Sequence, residues 1–422
     1  MSVRSYVCPG EVQPISRSVH LARLAADYAK CSACPHCSDL GGIGLPPRPP
    51  HVETPLAPVV QRERLWRSLR SADARRDVLG YCDALAAVLW EETPWELPLN
   101  DWDAVESRIP VGPEICVAWH SSDIAESFAT DVIRVMSRSG CRVVSLGAIT
   151  RPGLEFAIDH LECAAGLWIE GGGSPAGVGF RVIGPKSLAW SEGGRLDAIA
   201  SVRERGARRP CRTAGATKTF DILPAYREGL VRHFGSEEQQ LAVGGWSDVL
   251  DHTWSNFQSR VACRLQDTCP GARCDESPST TVVRGVQEEI VRQRLNGGVV
   301  FGSDGRQVWF VDRREGLLSD RVVTERLAQS LRAEAGEREI RVVASEELMW
   351  MDLNATGVRL VSCGASEESL VQTMQRSRAV LGCDGTGRYW IAKPAPRCDA
   401  LLTLAFLART IGANDSVLRR AS

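Results

Sequence analysis

From Glu114 onward, short apolar runs alternate with stretches in which apolar residues recur every three or four positions. EICVAWH reads as a strand, residues 124–139 as a helix, CRVVSLG as a strand, residues 154–161 as a helix, and AAGLWIE as a strand ending in glycines. A second stretch, 220–331, contains GGVVFGSDGRQVWFVD, a strand, a glycine turn and a return strand. A third, 337–413, gives IRVVAS, a helix, VRLVSCG, a helix over 367–376, AVLGC, a loop, RYWIAK and a final apolar helix. Strands alternating with helices of this length predict mixed or parallel sheets between helical layers, an α/β fold built from three tandem units. Upstream, residues 64–90 have helical periodicity with no breaker before Pro94. The first 45 residues stand apart, with a short helical run over 19–28, the segment CSACPHCSD and then the proline-rich LPPRPPHVETPLAP. The expected organisation is an N-terminal segment (1–45), a proline-rich linker (46–63), and units at 64–205, 218–331 and 337–415. The polar, arginine-rich stretch 203–217 reads as a solvated connection.

The chain has 422 residues, 44% hydrophobic and 24% charged, with a formal net charge of −2. That balance gives no overall field toward nucleic acid or an anionic membrane. The longest apolar stretch, 401–408, is far short of the roughly 20 residues that span a bilayer. The N-terminus has no apolar core of the secretory kind, so a cytoplasmic location is expected. The fifteen cysteines are an odd number, and most sit singly in apolar runs (Cys116, Cys141, Cys163, Cys363). There a reduced thiol serves as a small buried hydrophobe.

Cys31, Cys34 and Cys37 are spaced by two residues each, with His36 between the last two and Cys8 upstream. A C-x₂-C knuckle suits tetrahedral Zn²⁺. Three cysteines this close cannot all hold one zinc in good geometry, so Cys8 or His20 would complete the site. An iron–sulfur cluster would call for a fourth cysteine soon after Cys37, and none follows. Free thiols are the plain alternative.

Three segments together resemble the phosphohexomutase (phosphoglucomutase/phosphomannomutase) superfamily. CRVVSLGAITRPGLEFAIDHLECAAGLWIEGGGSPAGVGFRV is similar to its first domain, VVFGSDGRQVWFVDRREGLLSDR to the strand and metal loop of its second, and AVLGCDGTGRYWIAKPAPRCDALLTLAFLA to the sugar loop and following helix of its third. The likeness spans residues 116–413. It implies three tandem α/β/α domains. It also implies a chemistry in which a phosphoserine exchanges phosphoryl groups with a hexose phosphate beside a hard cation. On this likeness the family's C-terminal domain, which holds the substrate phosphate, is expected to be lacking.

Matched position by position, the likeness implies a degenerate site. Gly172 stands where the family has its serine and cannot carry phosphate. Ser174 lies two residues along, roughly 6–7 Å in extended backbone, and is the one weak substitute. The metal loop's carboxylates fall on Gly302, Asp304 and Arg306, of which only Asp304 remains an acid, so Mg²⁺ is not expected there. The sugar loop is best kept: Asp384, Gly385, Thr386, Gly387 and Arg388 retain an acid and a hydroxyl, though DGTG is equally an ordinary turn. The expected function is a non-catalytic or repurposed relative that binds a hexose phosphate or a protein partner. The alternative is an active phosphosugar mutase using Ser174 and a partner chain's phosphate site, and a third class is a scaffold acting through the N-terminal knuckle.

Overall fold

The computed structural model describes residues 5–7, 13–25, 36, 60–61, 64–69, 73–92, 112–172, 176–206, 214–268, 277–336, 339–345, 348 and 357–411. The chain divides into two compact units, 1–57 and 58–422. In the first, β1 (Ser5–Tyr6) pairs antiparallel with β2 (Ile15–Ser16), which leads directly into α1 (Arg17–Ala25).

The second unit carries three sheets. The first is built from β3 (Val60–Gln61), β4 (Arg64–Ser68), β5 (Glu114–Trp119), β6 (Arg142–Ala148), β7 (Ala165–Gly172), β8 (Gly177–Gly184), β9 (Leu188–Ala189) and β10 (Thr217–Thr219), in the order β10-β6-β5-β7-β8-β4-β3 with β9 on β8. Helices α2 (Ala74–Glu92), α3 (Asp123–Arg138), α4 (Arg151–His160) and α5 (Arg195–Arg205) accompany it, and α6 (Leu223–Val231) leads on to the next sheet. The second sheet runs β12-β11-β13-β14-β15, from β11 (Gln239–Gly244), β12 (Cys263–Asp267), β13 (Gly297–Phe301), β14 (Val308–Asp312) and β15 (Gly316–Leu317), with α7 (Asp248–Ser255), α8 (Thr280–Gln293) and α9 (Asp320–Ala335). The third repeats that order as β17-β16-β18-β19-β20, from β16 (Ile340–Ser345), β17 (Val358–Cys363), β18 (Leu381–Cys383), β19 (Tyr389–Ala392) and β20 (Pro396–Cys398), with α10 (Glu367–Ser377) and α11 (Ala400–Ile411). Each sheet shares a core of three parallel strands (β6-β5-β7, β12-β11-β13 and β17-β16-β18), the earliest of the three in the middle, followed by an antiparallel return strand, and the first sheet adds β10 parallel to β6. This common core is the physical content of the three-unit pattern in the sequence. Apolar side chains from all three sheets meet in one buried cluster that includes Ile149, Leu154, Phe301, Phe310, Ile391 and Phe406.

The helical reading of 64–90 is corrected at its start. Residues 64–68 form β4, paired with β8 so that Leu65 faces Phe180, and the helix begins only at Ala74. The reason is tertiary. Gly177 and Gly179 of β8 leave room for the indole of Trp66 and the backbone of Leu65, which a Cβ would strike at 2.4 and 2.2 Å. Val60–Gln61, inside the expected linker, extends this sheet as β3, and Thr217–Thr219, at the end of the expected connection, extends its other edge. No helix among the described residues is long and apolar enough to cross a membrane.

Candidate functional site

The turn between β13 and β14, Gly302–Gln307, is where the three sheets of the second unit meet. Gly305 has φ +78°, and a Cβ there would come within 2.8 Å of Thr150 Cβ, so the position accepts only glycine. Asp304 turns inward on its own loop, its Oδ1 accepting from Arg306 N at 2.9 Å, while its carbonyl accepts from Arg151 N at 3.1 Å. Gly305 O accepts from Ala400 N at 3.0 Å, at the start of α11. Asp304 is thus an element of turn geometry: its carboxylate accepts within its own loop, and its carbonyl ties the loop to the start of α4.

Arg306 is buried (1% exposed) and forks onto Glu367: Nη1 donates to Oε2 at 3.0 Å and Nη2 to Oε1 at 2.6 Å. Glu367 is the first residue of α10, where the free amides of the helix N-terminus favour an acid. It also accepts from Arg151 Nη2 at 3.0 Å, and Arg151 Nε donates to Glu155 one turn along α4 at 3.1 Å. All four side chains are buried, so two guanidinium groups and two carboxylates share one dry junction. Burial alone would raise Glu367, but Arg151 and Arg306 outweigh it and hold the carboxyl down to about 2. Glu155 goes the other way: burial outweighs its two arginines and raises it. Burial also works against the charge on Arg306, yet the Glu367 carboxylate outweighs it and keeps the guanidinium protonated.

The loop after β18 lies against this turn. Gln307 Nε2 donates to Thr386 O at 3.0 Å and Val308 N to Gly387 O at 2.9 Å. Asp384 is held within its own loop: Arg388 Nε reaches its Oδ2 at 2.7 Å, Thr386 N its Oδ1 at 3.0 Å, and Thr386 Oγ1 the same oxygen at 2.8 Å. The Arg388 guanidinium lies 5.6 Å from the Trp390 ring centroid and the Arg306 guanidinium 5.5 Å from it. Asp384 and Arg388 keep some exposure, 13% and 29% of their side chains, so the pair borders solvent.

The structure therefore brings together Asp304, the 384–388 loop and the start of α4. Gly172 ends β7 at φ +104°, opposite Gly177, beside the N-terminus of α3, whose cap Ser122 donates from Oγ to Gly171 O at 3.0 Å. Ser174, Cys8, Cys31, Cys34 and Cys37 lie outside the described residues. Among the described residues no group of three or more His, Cys, Asp or Glu side chains is arranged to hold a metal ion. Sequence reading missed Arg151, Glu155 and Glu367. Arg151–Glu155 has the spacing of an ordinary solvated helix pair, and Glu367 that of an ordinary first-turn acid.

No protein-family model matches the chain. It is 21% identical over 290 residues to a phosphoglucosamine mutase of Bacillus licheniformis, covering 64% of each chain, so it spans about two thirds of that relative's length. A phosphoglucosamine mutase of Limosilactobacillus fermentum is 19% identical over 325 residues, covering 73% of this chain and 71% of the relative. Among solved structures, a phosphoglucomutase/phosphomannomutase family protein from Burkholderia thailandensis superposes with a TM-score of 0.69 at 12% identity, over 84% of this chain and 76% of that one.

Proposed function

We infer that this chain, which belongs to the phosphohexomutase superfamily by its fold and its distant sequence relatives, is a repurposed member that binds a hexose phosphate without mutase turnover. Arg306 carries this reading. At the loop position where the family's pattern calls for a cation-holding carboxylate, a guanidinium fills the space and spends its charge on Glu367. A permanent cation on a buried carboxylate both repels Mg²⁺ and removes the free acid that would bind it. Glycine at 172 supports the same reading from the nucleophile's side, since phosphoryl transfer needs an oxygen to carry the group.

The ligand-binding part of the proposal rests on Asp384, Thr386 and Arg388. A carboxylate and a hydroxyl at the rim can take vicinal sugar hydroxyls, with Gly385 and Gly387 shaping the loop around them. Arg388 can exchange one oxyanion partner for another, turning from Asp384 to a phosphate that its planar fork engages through two hydrogen bonds.

The test has two arms. Purified protein assayed with Mg²⁺ and glucose 1,6-bisphosphate should convert neither glucose 1-phosphate nor mannose 1-phosphate. Turnover on the ordinary enzymatic scale, about 1–10³ s⁻¹, that is lost in Ser174→Ala would establish the active-mutase alternative instead. Calorimetry with glucose 6-phosphate and glucosamine 6-phosphate should show saturable binding that Asp384→Ala weakens by roughly 10- to 150-fold. Absence of binding at millimolar ligand would leave the DGTG segment a turn and nothing more.

A further inference from the structure

Two of the buried cysteines do more than fill apolar space. Cys116, in the middle of β5, and Cys163, in the turn between α4 and β7, place their sulfurs 3.3 Å apart, the Cys116 thiol donating to Cys163 Sγ. Backbone pairing sets this contact. Strands β5 and β7 are in register so that Cys116 lies beside Gly166, and Ala164 N donates to Glu114 O at 2.9 Å, which brings the turn back over the start of β5. Cys163 N donates to Ile158 O at 2.9 Å, so the last turn of α4 holds the residue from the other side. Closing 3.3 Å to the roughly 2.05 Å of a disulfide needs an approach of about 1.2 Å, within reach of small side-chain rotations.

The two thiols are not equivalent. Cys116 commits its proton to Cys163, and that hydrogen bond, together with burial, pushes the Cys116 thiol far up. The same bond, received by Cys163, holds that thiol below the usual range against the effect of burial. Lys218 and Arg142, bound to Glu114 at 2.7 and 2.8 Å, add to the preference for a thiolate at Cys163, while Glu114 opposes it. Cys163 is therefore the nucleophile of the pair and Cys116 its resolving partner. Both are shielded, at 0% and 1% exposure, but Cys163 is only one residue deep, between the exposed Glu162 and Ala164. Glu162 has φ +53°, a left-handed angle that a residue with a side chain holds only under strain. A strained turn facing solvent opens more readily than the strands beneath it, and opening it admits a small oxidant.

We propose that Cys116 and Cys163 are a modification site, closed into a reversible disulfide by hydrogen peroxide. The Cys163 thiolate attacks one peroxide oxygen and the O–O bond breaks. The departing oxygen takes up a proton and leaves as water, and Cys163 becomes a sulfenic acid. The Cys116 sulfur then attacks the Cys163 sulfur, its proton passing to the hydroxyl, which leaves as a second water. Two thiols thus give two electrons to one peroxide, and the products are one disulfide and two waters. The bond ties the end of α4 to β5. That helix carries Arg151 and Glu155 into the ion cluster, and its Asp159 accepts from Arg397 at 2.9 Å, so the link fixes the far end of the element on which the junction depends.

The experiment uses the folded full-length chain, treated with hydrogen peroxide, alkylated, and digested without reductant. Mass spectrometry should find a cross-linked peptide pair containing Cys116 and Cys163 that dithiothreitol separates. Amides of residues 161–164 should exchange more slowly in the oxidised protein than in the reduced one. Cys116→Ala should leave Cys163 as a sulfenic acid that dimedone traps. In Cys163→Ala, dimedone uptake at Cys116 should fall at least about tenfold below that, because its thiolate is scarce. The cross-link and the exchange measurement are read in the unaltered chain and so do not depend on either variant folding. The assignment is overturned if the pair stays reduced under peroxide, if the link forms only in urea, or if the two variants take up dimedone equally.

Discussion

Gly172 closes β7 in a backbone conformation that L-residues rarely adopt, and a Cβ there would meet no atom of the described residues within 4 Å. Backbone strain therefore sets the cost of restoring a side chain, roughly 1–3 kcal/mol for a non-glycine residue held at such an angle. Gly172→Ser should fold, unfold at lower urea, and incorporate no phosphate from glucose 1,6-bisphosphate; a stoichiometrically phosphorylated serine would show that the loop can still run the family's chemistry. Glu367 presents the opposite case, a residue whose removal costs far more than its place in the sequence suggests. It is the shared acceptor of two buried guanidinium groups, and breaking a buried ion cluster at one partner costs about 3–5 kcal/mol because the remaining charges stay desolvated. Glu367→Gln should lose stability on that scale in denaturant unfolding. Glu325→Gln, which unmakes the solvent-facing pair with Arg321 on α9, should lose only about 0–1 kcal/mol. Equal costs would mean that the junction is not the dry cluster described above.

Among the secondary-structure elements, β4 depends most on its partner. Its place in the sheet is fixed by β8, and at Gly179 a Cβ would stand 2.2 Å from Leu65 O, a backbone atom that cannot swing aside. Gly179→Ala should therefore push β4 off the sheet at a cost of about 1–3 kcal/mol. Amides of residues 64–68 should lose hydrogen-exchange protection while those of β5 and β7 keep it; uniform loss across the sheet would count against this. The same strand shows where the sequence stops being informative. The buried strands β5, β6, β7 and β13 were legible because both their faces are covered, leaving nearly unbroken apolar runs. In RLWRSLR the apolar residues fit a helix as well as a strand, and the partner that decides lies more than a hundred residues away. The candidate site divides similarly. Gly172, Arg306 and the DGTG loop could be read from position within a motif. The ion cluster could not, because α4 and α10 carry ordinary helical charge patterns until folding sets them side by side.

That cluster gives the second unit a distinctive pH response. Arg151 belongs to the first sheet's helices, Arg306 to the second sheet, and Glu367 to the third, so the three are fastened by one set of charges. Glu367, with a folded value of about 2 against an ordinary 4.5, contributes stability that is complete above pH 4.5 and is lost as pH falls toward 2. In that window the unfolded chain binds a proton that the folded chain refuses. Glu155, raised by burial, contributes with the other sign: its share is complete below pH 4.5 and is lost as pH rises through its folded value. Below pH 4.5 Glu155 is protonated in both states, so the acid slope from this junction belongs to Glu367 alone. Unfolding free energies measured from pH 6 to pH 2 should therefore fall steeply below about 4.5 in the native protein and less steeply in Glu367→Gln. Calorimetry of the second unit within the intact chain should show one transition for all three sheets, since none can leave without stranding a buried charge on the others. Resolved transitions for separate sheets, or an acid limb identical in Glu367→Gln, would mean that the apolar interface alone joins them and that Arg306 is a passenger.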